Sequence, residues 1–395
     1  MSEQLKRRIG FGLLTAYGVG VMVGAGIYVL VGAVAGAAGI WAPLAFLAAG
    51  AVAAPTALSY AEWSARVPEA AGEAAYIRAG FDMPRLAVLV GLAIVVAGTI
   101  SAAAVLRGGV GYLTGIVDLP IWLGVAGLGL ALTLVAGLGV LESLSLAALF
   151  TVIELAGLAL IVWAGMGAAP APDYVAAPPP GLAAIGAGAV LAFFAFIGFE
   201  DMVNMAEEVR EPTRTLPRAI LVSLAITTLL YALVSWAAVR AVPLEELAAS
   251  ERPLALVWQE TRGGGAAGFS AIAVFAALNG VLAQVVMAAR VLFGLGKTGG
   301  PLAVFHHAHP RFGTPLPATA LVGAAVIGAA LLLPVDVLAG ATSAVLLAVF
   351  VLINAALIAV KRRVPEAPFR VPMAVPVAGV AMSLLALVAG LAGQG

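Results

Sequence analysis

Residues 18–32 read GVGVMVGAGIYVLVG, and they lie inside an apolar run that extends from Gly10 to Gly36 without a charged side chain. A helix of about 20 apolar residues crosses a bilayer, so this run is long enough for a membrane span and too long for the apolar part of a cleaved signal peptide. Gly24, Ala25 and Gly26 stand near its middle. Because glycine weakens the interior of a helix, these residues mark a candidate position for an interruption of the first span.

The composition supports a membrane protein throughout. Of 395 residues, 63% are hydrophobic and 10% are charged, whereas soluble domains carry about 25% charged residues. Basic and acidic residues number 20 each, so no net positive field favours nucleic acid. The chain has no cysteine, which excludes disulfides and thiol nucleophiles. We therefore expect an all-α membrane protein, and no metal or cofactor is predicted.

Eleven apolar runs have the length of a membrane span: residues 10–36, 40–62, 86–114, 119–141, 143–167, 181–203, 216–239, 266–292, 316–335, 337–360 and 371–393. Lys and Arg are distributed unevenly between the two sides. Only Arg240, Arg252 and Arg262 fall in segments on the side opposite the N-terminus, and Arg107 lies within the third run. The positive-inside rule then predicts a cytoplasmic N-terminus in a bacterial inner membrane, with the C-terminus outside.

Ten of these spans can form two halves of five, within a single transporter domain over residues 1–395. Because five is odd, the second half would enter the membrane from the opposite side, which is the topology of an inverted repeat. The halves would be residues 10–167 and 181–360, followed by an extra span at 371–393. Such transporters interrupt the first span of each half near the midplane. In the sixth span, the matching positions are Phe194, Ala195, Phe196, Ile197 and Gly198.

Two such interruptions have complementary chemistry. A half-helix that starts after Gly24 offers unpaired N–H groups and the positive end of a helix dipole, which suit a carboxylate. Carbonyl groups freed between Phe194 and Gly198 would accept hydrogen bonds from an ammonium group. An amino acid zwitterion satisfies both ends. The alternative is that Gly24 and Gly26 serve only close packing between helices.

Three stretches resemble the amino acid-polyamine-organocation superfamily, and most closely its bacterial amino acid permeases related to cationic amino acid transporters. They are GVGVMVGAGIYVLVG at 18–32, FFAFIGFEDMVNMAEEVREPTRTLPRAI at 193–220 and EAPFRVP at 366–372. The resemblance implies five-plus-five inverted repeats with discontinuous first and sixth helices. It also implies secondary active transport of amino acids by alternating access, with a substrate site between spans 1, 3, 6 and 8.

The resemblance assigns roles to particular residues. Gly24, Ala25 and Gly26 match the glycine motif that binds the substrate carboxylate, with Val23 and Ile27 flanking it. The segment from Phe194 to Gly198 matches the part that binds the ammonium group and closes over the substrate.

This sequence also departs from the family at three points. The middle residue of the glycine motif is often Ser or Thr in relatives and is Ala25 here. Relatives that accept cationic side chains carry a carboxylate where this chain has Ala97, which favours neutral substrates. The family usually has twelve spans, and eleven are predicted.

Glu154 lies in the fifth predicted span, where a charge costs at least roughly 2.5 kcal/mol and is a functional candidate for that reason. Proton-coupled relatives carry a Lys at this position, and Glu154 is likewise a group that can bind and release a proton. We therefore expect Glu154 to couple transport to protons. The alternative is a protonated packing residue. Asn279 in the eighth span is expected either to contact the substrate or to hydrogen-bond between helices.

Two further functions remain open from the sequence: an amino acid exchanger and, from a different class, a sensor that binds an amino acid without moving it. Arg107 is expected to reach the outer water or an acidic partner, with the alternative that it lines an outer vestibule and attracts a substrate carboxylate. His306, His307 and His309 cluster in one loop, where a solvated loop is favoured over a metal site.

Overall fold

The computed structural model describes residues 7, 9–24, 26–68, 72–138, 144–176, 179, 181–206, 208–263, 265–297 and 299–392. Regular structure within these residues is helical, apart from a single parallel bridge between Ile9 and Val209. Ala25 and Glu207 lie outside the described residues.

The described residues form sixteen α-helices: α1 (Phe11–Val23), α2 (Gly26–Ala38), α3 (Ala42–Arg66), α4 (Gly72–Phe81), α5 (Pro84–Leu113), α6 (Ile121–Leu138), α7 (Leu144–Gly167), α8 (Pro172–Val175), α9 (Leu182–Phe193), α10 (Pro212–Ala241), α11 (Leu244–Ala249), α12 (Pro253–Arg262), α13 (Ala267–Gly296), α14 (Leu316–Leu332), α15 (Val335–Arg363) and α16 (Ala374–Ala392). Short 3₁₀ turns occupy Gly39–Trp41, Phe194–Phe196, Asp201–Met205 and Gly300–Phe305.

Eight helical stretches are long and apolar enough to cross a membrane: Gly26–Arg66, Pro84–Leu113, Ile121–Leu138, Leu149–Gly167, Leu182–Met205, Pro212–Ala241, Ala267–Gly296 and Val335–Arg363. Three shorter apolar helices are Phe11–Val23, Leu316–Leu332 and Ala374–Gly390. The chain is therefore an all-α, multi-pass membrane protein. Each predicted span coincides with a helix or helix pair, while the count of eleven spans stays a prediction because three of the helices are short.

The interrupted first span lies at the centre of the bundle. Helix α5 packs along α13, and α3 packs along α10. Between these pairs, α1 contacts α7 and α10, while α2 contacts α9. Because long helices surround α1 and α2, an interruption between them opens toward protein rather than lipid.

A buried polar cluster fastens the ends of three helices. The carboxylate of Glu62 on α3 accepts hydrogen bonds from Lys361 on α15, at 2.6 and 2.9 Å, and from the backbone N–H of Val371, at 2.9 Å. Arg66 donates to the same carboxylate at 2.7 and 2.8 Å. Lys361 also donates to the carbonyl of Val371. The segment that leads into α16 is thereby held against α3 and α15.

Candidate functional site

The first interruption lies between α1 and α2. Helix α1 ends at Val23, where the N–H of Gly24 still bonds the carbonyl of Gly20. Gly24 then adopts φ +24° and ψ −150°, a conformation that residues with a side chain rarely adopt. Helix α2 starts again at Gly26, and its first N–H groups have no partner within the helix. The helix is thus interrupted at a residue type that adopts this conformation without a steric penalty.

The second interruption follows α9, which ends at Phe193. Phe194–Phe196 form a 3₁₀ turn, and Ile197 is extended. Gly198 has φ +125°, and its N–H donates to Oε2 of Glu200 at 2.9 Å instead of to a helix carbonyl. Regular α-helix does not resume within the described residues before Pro212. Backbone groups of this segment are therefore free of the usual helical pairing.

The two interruptions touch each other. A Cβ atom placed on Gly26 would lie 3.1 Å from the Cα of Ala195, and one placed on Gly198 would lie 3.1 Å from the backbone nitrogen of Met22. The hydroxyl of Tyr231 on α10 lies 2.6 Å from the carbonyl oxygen of Met22 and 2.8 Å from that of Ala195. The hydroxyl of Tyr231 is thus within hydrogen-bond distance of one carbonyl from each interruption.

A chamber of about 60 Å³ opens beside these interruptions. It is lined by Tyr17, Gly20, Val21, Met22, Gly24, Gly26, Ser101, Val105, Thr151, Phe194, Ile197, Asn279, Gly280, Ala283 and Gln284. Of the predicted site residues, those in the lining are Gly24, Gly26, Phe194, Ile197 and Asn279. The others described, which pack behind the lining, are Val23, Ile27, Ala195, Phe196 and Gly198. The structure therefore brings both predicted segments to one chamber, although not through every residue.

Glu154 is fully buried on α7, beside the chamber rather than in its lining. Its Oε1 accepts a hydrogen bond from the amide of Asn279 at 3.1 Å, and its Oε2 has no hydrogen-bond partner among the described residues. The hydroxyl of Tyr28 donates to the backbone carbonyl of Glu154 at 2.8 Å. Asn279 therefore contacts both the chamber and the carboxyl group.

Polar residues outside the predicted site also line the chamber. Ser101, Thr151 and Gln284 are isolated polar side chains in apolar spans, and this isolation was the signal that could have found them. Gln284 donates to Oδ2 of Asp201 at 2.9 Å. Asp201 and Glu200 line a smaller pocket of about 10 Å³ that shares Gln284 with the chamber. Both carboxyl groups fall within the predicted sixth span, which was a second available signal.

The structure also bears on the partner of Arg107 and on the possibility of a metal site. Arg107 donates through Nη1 to the carbonyl of Ala330 at 2.8 Å, so a backbone oxygen takes the place of the expected acidic partner. In the part of the chain that the structure describes, no group of three or more His, Cys, Asp or Glu side chains is arranged to hold a metal ion.

These features define a multi-pass membrane protein whose two interrupted helices meet at an internal chamber. The model of the amino acid permease family matches residues 9–394, and the chain belongs to this family of the amino acid-polyamine-organocation superfamily. The protein is therefore a membrane transporter by family, and the named relatives are permeases and transporters rather than enzymes.

Three relatives illustrate the range of the family. The branched-chain amino acid permease BcaP of Bacillus subtilis is 29% identical, over 96% of this chain and 87% of the relative. The methylthioribose transporter of the same organism is 28% identical, over 95% and 86%. Cationic amino acid transporter 4 of Homo sapiens is 31% identical, over 85% of this chain and 57% of the relative.

Proposed function

We propose that this protein carries neutral amino acids across a bacterial inner membrane by alternating access, with protons as the coupling ion. The observation that carries the proposal is the meeting of two helix interruptions at one chamber. Unpaired N–H groups at the start of α2 suit a carboxylate. Backbone oxygens at the end of α1 and in Phe194–Phe196 suit an ammonium group.

The proposed architecture is a five-plus-five inverted repeat in a single domain, residues 1–395, with eleven spans and a cytoplasmic N-terminus. The repeats would be residues 10–167 and 181–360, followed by the span at 371–393. Supporting this, the interrupted stretches occupy the first position of each half. The uneven distribution of Lys and Arg supports the orientation.

In this proposal, the carboxylate of the substrate binds at Gly24, Ala25 and Gly26, with Val23 and Ile27 holding the turn from behind. The ammonium group binds at the segment from Phe194 to Gly198, and Asn279 contacts the substrate from α13. The chamber is small, at about 60 Å³. A large side chain then requires the chamber to widen.

The chamber favours a neutral side chain, because none of its described lining residues carries a charge. Val105, Phe194 and Ile197 provide apolar surface there. Ala97 lies on the smaller pocket and supplies no carboxylate, and the carboxyl groups of that pocket are those of Glu200 and Asp201, of which Asp201 accepts a hydrogen bond from Gln284. A relative with a branched-chain substrate in its name agrees with this preference.

Glu154 is the proposed proton carrier. Its free Oε2 gives a proton a place to bind, and Asn279 connects its Oε1 to the chamber. Binding and release of a proton by this carboxyl group would then affect the substrate site through Asn279.

The proposal is tested with purified protein in liposomes, using labelled leucine as the tracer and an imposed pH gradient. Saturable accumulation in empty liposomes, driven by an acidic exterior, is the expected result. A panel of twenty unlabelled amino acids identifies the substrate through competition, and neutral side chains should compete best. Protein-free liposomes with the same gradient are the control.

Other outcomes separate the alternatives. Uptake that requires amino acid preloaded inside the liposomes would identify an exchanger and reject proton coupling. Saturable binding without uptake would identify a sensor and reject transport. The absence of both binding and uptake for all twenty amino acids would reject the proposed substrate class.

A further inference from the structure

Two short helices, α11 and α12, lie across the end of α2 that is remote from α1. A Cβ atom placed on Gly32 of α2 would lie 2.5 Å from the carbonyl oxygen of Leu247 and 3.3 Å from the Cβ of Pro253. One placed on Gly36 would lie 3.1 Å from the Cβ of Ala248. The loop between α10 and α13 therefore packs directly on the first span. This close approach is possible because Gly32 and Gly36 have no side chains.

Tyr112 holds this docked loop through one hydroxyl group. The residue is fully buried near the end of α5. Its hydroxyl donates to the carbonyl of Tyr28 on α2 at 2.6 Å and accepts from the N–H of Leu254 at 3.3 Å. Leu254 is the second residue of α12, so its N–H has no partner within that helix. Tyr112 thus joins a loop helix to the interrupted span.

The contacts continue from Tyr28 toward the chamber. The rings of Tyr28 and Tyr112 meet edge to face at 6.4 Å, and Phe269 of α13 lies 6.1 Å from the ring of Tyr28. The hydroxyl of Tyr28 bonds the backbone of Glu154, whose carboxyl group bonds Asn279. Separate hydrogen bonds, linked through the residues Tyr28 and Glu154, therefore connect α12 to the wall of the chamber.

We propose that Tyr112 latches α12 over the outer end of the chamber, so that outward opening requires its hydrogen bonds to Tyr28 and Leu254 to be released. This inference rests on the proposed function, because it assumes alternating access and a cytoplasmic N-terminus. Tyr112 is a positioning residue: it does not line the chamber and acts through the loop that it holds. Nothing in the latch depends on which amino acid is carried.

The first test locks the loop in place with a disulfide. A Cβ atom on Gly111 would lie 3.8 Å from the Cβ of Glu251, which equals the mean Cβ separation of about 3.8 Å in disulfides. The chain has no other cysteine, so Gly111→Cys with Glu251→Cys forms a single defined pair. Oxidation should reduce uptake to the level of protein-free liposomes, and a reductant should restore it. Each single variant serves as a control.

Full uptake with the pair completely cross-linked would overturn the latch, because the loop would not need to move. A pair that fails to cross-link would contradict the close docking from which the latch is inferred.

The second test measures outward opening without transport. Val105→Cys places a thiol in the chamber, where a membrane-impermeant maleimide added outside can reach it only past α12. Adding Tyr112→Phe removes both hydrogen bonds of the hydroxyl group and should accelerate labelling by at least about fivefold, the effect expected for the loss of one buried hydrogen bond. Tyr76→Phe is the matched control, because the buried hydroxyl of Tyr76 has no hydrogen-bond partner among the described residues.

Equal labelling rates in the two Tyr→Phe variants would overturn the latch. Thermal unfolding of both variants is measured in parallel, since a purely structural role would change stability without changing external labelling. Labelling needs no substrate, so a failure of the latch is distinguishable from a failure of the proposed transport, which appears as absent uptake in the unaltered protein.

Discussion

The ammonium group of Lys361 lies 2.6 Å from Oε2 of Glu62, and both side chains are buried. Glu62 belongs to α3 and Lys361 to α15, so the ion pair joins helices that are distant in the chain. The N–H and the carbonyl of Val371 complete the cluster. Removing either charge would leave the other buried without its main partner.

Lys361→Met should therefore destabilise the protein by about 3 kcal/mol, near the lower end of the range for a broken buried pair, because Arg66 still donates to Glu62. Thermal unfolding in detergent measures the effect. The double variant Glu62→Gln with Lys361→Met should be no more stable than Lys361→Met, because it also takes the carboxylate partner away from the buried side chain of Arg66. Arg362→Met is the control, because Arg362 is exposed. Equal melting temperatures for Lys361→Met and Arg362→Met would contradict the argument.

Gly26→Ala should impair transport by separating the two interruptions. Its new methyl group would lie 3.1 Å from the Cα of Ala195, and overpacking of this kind costs roughly 1–3 kcal/mol. We expect a higher KM for uptake with a smaller change in stability. Gly12→Ala, in α1, is the matched control, because its new methyl group would have no described atom within 4 Å apart from the backbone of its own helix and its chain neighbours. Unchanged uptake kinetics in Gly26→Ala would refute the close contact.

Tyr231→Phe removes the hydroxyl that serves the carbonyls of Met22 and Ala195. Leaving a buried acceptor unsatisfied costs about 1–3 kcal/mol, so the substrate-free protein should be destabilised by about this amount. Thermal unfolding in detergent is the measurement. Tyr76→Phe again provides a control, because it removes a hydroxyl that has no hydrogen-bond partner among the described residues, and equal melting temperatures in the two variants would count against the role of Tyr231.

Glu154→Gln keeps a side chain that can bond Asn279 but cannot release a proton. We expect accumulation driven by a pH gradient to be lost, while exchange of labelled for unlabelled amino acid continues. Asp118→Asn is the control, since Asp118 is an exposed carboxylate outside the helices. Undiminished gradient-driven accumulation in Glu154→Gln would exclude Glu154 as the proton carrier.

Glu73 should make stability depend on pH. It lies on α4, outside the membrane-spanning segments, and burial raises its pKa from 4.5 to about 7; the charge of Asp201 adds to the rise, while hydrogen bonds from the backbone and Tyr60 oppose it. A group with a raised pKa binds its proton more tightly in the folded state. Its contribution to stability is therefore complete below about pH 4.5 and is lost as the pH rises through about 7.

Between pH 5 and pH 8, the melting temperature should fall further in the unaltered protein than in Glu73→Gln, corresponding to a difference on the order of 3 kcal/mol. Glu245→Gln, an exposed acid, should follow the unaltered protein. Parallel curves for all three proteins would show that Glu73 does not titrate in this range.

The long helices were predictable because a helix that crosses a bilayer needs about 20 predominantly apolar residues. The run predicted at 86–114 corresponds to α5, and that at 337–360 corresponds to α15, which continues to Arg363. The extension was missed because hydropathy detects the lipid-facing part of a helix, whereas backbone hydrogen bonding continues into the polar end. Helices α4, α11 and α12 were not predicted, since short helices are stabilised mainly by tertiary packing.

The interruptions were predictable because Gly24 and Gly198 mark backbone conformations that other residues avoid. The lining was only partly predictable. The lining residues on α1 are Tyr17, Gly20, Val21 and Met22, whereas Val23 is fully buried and lies outside the lining. The roles of Tyr112 and Tyr231 left no signal, because a tyrosine in an apolar span has the same sequence appearance whether its hydroxyl is bonded or not.

The phenol of Tyr231 has a single hydrogen to give, and two backbone oxygens lie within its reach. At any moment only one of them can receive it fully, so the other oxygen is then without this hydrogen-bond donor. Met22 borders the chamber. In the proposed function, the ammonium group of a substrate would donate to the carbonyl of Met22 while the hydroxyl of Tyr231 turns to Ala195.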